Sequence, residues 1–155
     1  MIHRIDSIHI NYKAREWCKL PYPGHPHGCP NYSRKASCPP LAPRIEDFID
    51  ISKEMYIVSR EFNITEHETK MLKLHPLWSR RQCRCVLYYQ PRLNSELLRE
   101  TVYWARQEGL GDVYALCPEA MGVNVIATAQ AVGIPILVHP KDWIYKVSVI
   151  GKKHD

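Results

Sequence analysis

The chain of 155 residues has no uninterrupted apolar run of about 18 residues or more, so no segment reads as a membrane-spanning helix. Its first residues, Met1-Ile2-His3-Arg4-Ile5-Asp6, are broken by charge and lack the apolar core of a secretory signal. The expected location is therefore the cytoplasm, with no membrane partner. No internal repeat is present, and no low-complexity segment beyond one proline-rich loop. The close C-x2–4-C pair through which zinc fingers and ribbons present two thiolates to one ion is also missing. Charge is not extreme: a net +5 and a pI near 8.9 permit contact with nucleic acid or an anionic small molecule without requiring either. With 45% hydrophobic and 24% charged residues, the composition is that of one globular domain spanning 1–155.

What the chain does have is six cysteines. In a reducing cytoplasm disulfides rarely persist, and clustered cysteines more often bind metal or do chemistry. Cys18, Cys29 and Cys38 fall in or border a segment, 18–43, crowded with Pro21, Pro23, Pro26, Pro30, Pro39, Pro40 and Pro43. Proline removes a backbone donor and fixes φ, which excludes a regular helix or a central strand there. A long irregular loop with few large aliphatic residues needs another source of order, and a metal held by its cysteines would supply it.

The spacing C-x10-C-x8-C is wrong for a zinc knuckle. A Cys3His zinc site completed by His25 or His27 remains open. An iron–sulfur cluster is larger and draws its ligands from separated positions. Cys29, Cys38 and Cys117 each precede proline, a step also found in the bacterial ferredoxin cluster motif. The favoured cofactor is a 4Fe–4S cluster, with zinc as the alternative.

Cys117 stands at the end of an apolar strand, Val113 to Cys117, ahead of Pro118. A thiol before a helix N-terminus is expected to have a lowered pKa. Cys117 is thus a candidate fourth ligand or a reactive thiolate. Glu119 is a candidate general acid or base, or simply a favourable charge at a helix start. Cys83, between Arg81 and Arg84, is a further candidate ligand or nucleophile, or a core residue. Arg80, Arg81 and Arg84, with Trp78, Tyr88, Tyr89 and Trp104 nearby, form a candidate RNA-binding surface, or a solvated helix face whose aromatics fill the core.

The expected architecture is α/β: one small domain with a proline-rich cysteine loop near its start and a βαβ-like unit at its end. Strands are expected near residues 2–10, over Met55–Val58, Val113–Cys117 and Ile134–Val138, and as an edge strand over Trp143–Ile150. Helical spacing over Arg44–Asp50 places Ile45, Phe48 and Ile49 on one face. Further helices are expected from Glu66 to Leu74 behind a Thr65/Glu68 capping box, over Ser79–Tyr89, from Asn94 or Ser95 to Gln107 with Gly109 closing it, and over Met121–Val132. The βαβ pattern normally implies parallel strands.

The run Cys18…Cys29-Pro30-Asn31-Tyr32…Cys38-Pro39-Pro40, with the later Pro118-Glu119-Ala120-Met121-Gly122-Val123-Asn124-Val125 and Ala127-Thr128-Ala129, resembles an uncharacterised family of predicted cysteine-rich metal-binding proteins. This chain differs in a wider first cysteine interval and fewer late cysteines. Cys117-Pro118-Glu119 is also similar to a segment of cluster-dependent thiouracil desulfidases. That likeness implies three cysteines on a 4Fe–4S cluster with one iron free to take sulfur. The functional expectation is a metal-binding protein with redox or sulfur-transfer chemistry, acting with a small-molecule or redox partner or on a nucleobase or RNA. The competing expectation is a non-catalytic, zinc-stabilised RNA-binding module.

Overall fold

Stretches rich in β-branched and aromatic residues build a four-stranded sheet in the computed structural model, which describes residues 1–155. The strands are β1 (Ile2–Ile5), β2 (Met55–Asn63), β3 (Val113–Ala115) and β4 (Trp143–Gly151). They lie in the order β1-β2-β4-β3 and every pair is antiparallel. The helices are α1 (Ile45–Phe48), α2 (Ile64–Leu74), α3 (Arg80–Cys83), α4 (Gln90–Val102) and α5 (Val125–Gln130). Short 3-10 segments cover Tyr12–Lys19, Val86–Tyr88 and Pro118–Met121. No helix is long and apolar enough to cross a membrane.

The sheet separates two apolar layers. On one side Ile5, Met55, Ile57, Ala115, Val147 and Val149 pack with Ile45, Ile49, Met121, Val123, Ala129, Ile134 and Ile136. On the other, Val58 and Ile150 meet Leu97 of α4 and Ala105 of the π-helical segment Tyr103–Gln107 that continues it. Two neighbouring positions of β4, Val149 and Ile150, thus serve opposite layers, as the two-residue period of a strand requires. Burial of this kind contributes roughly 1.5–3 kcal/mol for each large aliphatic side chain.

The helices and strands of one small α/β domain are present as expected, but several connections differ. The last third does run strand, helix, strand, yet β3 and β4 are antiparallel neighbours. Ile134–Val138 forms no strand. Pro135 has no N–H to give, and the Ile136 N–H donates to the Ile134 carbonyl at 2.8 Å, so local bonding takes what a ladder would need. β4 is an interior strand between β2 and β3.

The helix boundaries moved for identifiable reasons. α2 is capped by Asn63, whose side chain accepts the Glu66 N–H at 3.0 Å. The Thr65 hydroxyl instead donates to Asp142, and Glu68 binds arginines. The 79–89 stretch stops as a helix at Cys83 and resumes only as the 3-10 turn Val86–Tyr88. Pro91 sits in the first turn of α4, where a missing N–H costs nothing, so the helix begins at Gln90. The Ser95 hydroxyl bonds back to the Pro91 carbonyl at 3.1 Å inside that helix. Gly122, at φ +94°, breaks the 121–132 stretch, and Asn124 caps the short α5.

Candidate metal centre

The cysteine loop is rooted in the larger apolar layer. At its start, Ile10 bridges to Val123 and the Asn11 N–H donates to the Gly122 carbonyl at 2.7 Å. At its end, Ala42, Ile45 and Ile49 are buried core residues. The Arg15 guanidinium ties the two ends together, donating to the carbonyls of Pro40 and Ala42. The Tyr12 hydroxyl donates to Glu46 at 3.0 Å, and Arg44 lies over the Tyr12 ring.

Within the loop, successive turns bring the cysteine-bearing stretches together. The Cys29 N–H donates to the Cys18 carbonyl at 2.7 Å. Gly28, buried at φ +83°, makes this approach feasible, because a Cβ there would run into the Cys18 carbonyl and the Lys19 backbone. The Ser33 N–H donates to the Pro39 carbonyl at 2.9 Å, bringing the chain after Cys29 beside the Cys38-Pro39 step. Cys38 is itself in a turn, its N–H bonded to the Lys35 carbonyl and its carbonyl to the Ala42 N–H. Prolines thus exclude regular structure, while hydrogen-bonded turns and the Arg15 clamp supply order.

Cys18, Cys29 and Cys38 are all free thiols and all partly exposed. Burial pushes the Cys18 thiol above its ordinary range, and Cys29 and then Cys38 add to the shift. Cys29 and Cys38 therefore both lie within electrostatic reach of Cys18. No group of three or more His, Cys, Asp or Glu side chains is placed to hold a metal ion. His25 stacks on Tyr22, with ring centroids 4.5 Å apart.

The other sequence candidates lie elsewhere. Cys117 precedes the 3-10 turn Pro118–Met121, with Glu119 and Lys146 as its charged neighbours. Its residue surface is open to solvent, but its sulfur is crowded by protein. Burial first, and Glu119 second, push this thiol up to about 11. The lowered pKa expected at a helix start is absent. A four-residue 3-10 turn aligns few peptide dipoles, and the Ala120 N–H does not offset lost hydration beside a carboxylate. Glu119 and Lys146 also line an open, largely apolar cleft of about 320 Å³ with Tyr89, Leu93, Val125 and Ile126.

Cys83 is fully buried at the end of α3, which packs on α2. Glu68 of α2 takes up two of the three candidate arginines, at 3.0 Å from Arg80 and 2.6 Å from Arg84. Arg84 also donates to the Lys141 carbonyl, leaving Arg81 without a carboxylate partner. Trp78 is stacked on His75 at 3.8 Å and lies 5.1 Å from Tyr88, while Tyr89 is stacked on Phe62. These rings and cations mainly serve one another.

Gly28, Arg15 and Tyr12 were not singled out by the sequence. A glycine ahead of a cysteine is a weak local signal, and an arginine clamping two carbonyls has none. No family model, curated protein or solved structure matches this chain.

Proposed function

We propose that this protein is a cytoplasmic metal-binding protein whose loop cysteines, Cys18, Cys29 and Cys38, hold an iron–sulfur cluster of the 4Fe–4S type. The observation that supports the reading is that the turns of the loop bring the Cys29 and Cys38 thiols within electrostatic reach of Cys18. A single zinc needs four donors within about 2.0–2.3 Å of the ion. A cluster spreads its ligands over a wider frame and accepts thiolates from separated turns. Six free cysteines suit a reducing compartment.

When bound, such a cluster supplies one-electron redox chemistry or, where an iron lacks a protein ligand, a place for sulfur to attach. The chain's contribution is to present the thiolates and hold them. Cys18 is positioned by its carbonyl bond to Cys29, and Arg15 closes the root of the loop. The raised Cys18 pKa means that a metal must displace a proton there, so loading should strengthen as pH rises. Three loop thiolates leave a fourth position to a small molecule or a further ligand. Glu119, on the wall of an apolar cleft, and its neighbour Cys117 are a separate candidate pair for substrate chemistry.

The test is anaerobic purification followed by iron and acid-labile sulfide analysis. Brown protein containing both, with metal lost in Cys18→Ala, Cys29→Ala and Cys38→Ala but retained in Cys83→Ala, is the expected result. Colourless protein carrying one tightly held zinc would overturn the cluster reading. Full metal content in any one of the three loop variants would remove that residue from the ligand set.

A further inference from the structure

We infer that the cysteine loop is also the protein's nucleic-acid-docking surface, and that its ligand is a single-stranded nucleic acid. The charge distribution is the starting point. Between Asn11 and Arg44 the chain carries Lys13, Arg15, Lys19, Arg34, Lys35 and Arg44 against Glu16 alone, a net +5 that equals the net charge of the whole protein. All the remaining residues together are neutral. A surplus concentrated on the loop and its two flanks presents an anionic partner with a place to dock.

Pairing sharpens the contrast. Outside the loop most arginines are engaged, Arg4 with Glu54, Arg60 with Glu96 and Glu100, Arg80 and Arg84 with Glu68, and Arg92 with Glu96, while Arg81, Arg99 and Arg106 have no carboxylate partner. In the loop only Lys19 has a carboxylate partner, Glu16 at 2.6 Å, and both are exposed to solvent. Lys13, Arg34 and Lys35 are exposed and form no ion pair. Glu46 and Asp47 stand at the root of the loop on α1, where Glu46 is occupied by Tyr12.

Charge alone would suit any polyanion. The aromatic side chains narrow the class. Trp17, immediately before Cys18, is 60% exposed, and Tyr22 is 46% exposed with one ring face stacked on His25. Such rings cost free energy in water unless something covers them, and flat rings among unpaired cations are what single-stranded nucleic acid uses: bases stack while phosphates meet the charges. Trp78, by contrast, already has its neighbours in His75 and Tyr88. Charge and exposed rings favour the loop over the Arg80–Arg84 segment, where Tyr88 is exposed but Glu68 pairs two of the three arginines. The inference stands on charge and exposed rings, independently of which metal the thiols hold.

The experiment is fluorescence anisotropy at low salt with a labelled single-stranded oligouridine of about 16 nucleotides, alongside labelled inorganic polyphosphate as a base-free polyanion. Metal content and thermal midpoint are recorded for each variant. Trp17→Ala is expected to weaken oligouridine binding by roughly five- to a hundredfold, the loss of one stacked base, with polyphosphate binding unchanged. The double variant Arg34→Ala/Lys35→Ala should weaken both ligands and reduce the steepness of log affinity against log salt by about 1.4. The triple variant Arg80→Ala/Arg81→Ala/Arg84→Ala should bind oligouridine as the parent does. Loss of binding with metal retained separates this surface from the metal centre. Absence of oligouridine binding at low salt overturns the inference, as does loss in the triple variant alone. Oligouridine binding unaffected by Trp17→Ala and matched by polyphosphate overturns the nucleic-acid assignment in favour of a purely anionic partner such as an acidic protein.

Discussion

At the scale of single residues, Cys117 shows how local surroundings override position. A thiol ahead of a helical turn is expected to ionise readily, yet burial and Glu119 raise it to about 11. The thiol is therefore protonated at neutral pH, and it is a poor nucleophile there. Alkylation of Cys117 by iodoacetamide should be slow at pH 7 and climb steeply as the pH approaches 11, while Glu119→Gln should shift that climb to lower pH. The sign for stability follows from the same shift. A folded-state pKa above the ordinary 9.0 leaves the contribution intact below pH 9 and removes it as pH rises toward 11. Denaturant midpoints measured across that interval should fall in the parent and fall less in Cys117→Ser.

At the scale of elements, the contact of α4 with β4 carries a buried polar pair. Thr101 and Ser148 are fully buried, with their hydroxyl oxygens 2.6 Å apart, and the Thr101 hydroxyl also donates to the Leu97 carbonyl at 2.6 Å. With the Thr101 proton committed to that carbonyl, Ser148 donates to Thr101. Thr101→Val keeps the shape but strands the Ser148 hydroxyl, which should cost about 1–3 kcal/mol. Urea unfolding should show a lower midpoint with an unchanged slope. Replacing both residues, Thr101→Val with Ser148→Ala, should recover part of the loss because no polar group is then left unpaired.

At the scale of the whole molecule, an irregular loop is docked on a regular sheet domain by a few contacts at its root. Arg15 reaches the carbonyls of Pro40 and Ala42, so Arg15→Ala should free the loop while sparing the core. Amide exchange at Cys29 and Cys38 should speed by roughly tenfold or more, while amides in β2 and β4 keep their protection. Equal acceleration in the sheet would show that loop and core open as one unit.

Sequence by itself determined the elements whose information is local. The apolar runs of Met55–Val58 and Trp143–Ile150, the helical spacing of Ile45, Phe48 and Ile49, and the proline-imposed irregularity of the cysteine loop all express short-range sterics and local burial. Spacing also separated the loop cysteines from a zinc knuckle. Tertiary structure decided what depends on residues distant in sequence. It made β4 an interior strand, left Ile134–Val138 unpaired, and put Glu68 against Arg80 and Arg84. It also gathered Cys18, Cys29 and Cys38 through turns that Gly28 and Arg15 permit, and left Cys117 beside Glu119 and Lys146. The reason is physical: backbone propensity acts over a few residues, whereas charge pairing, desolvation and strand order depend on which surfaces meet once the chain has folded.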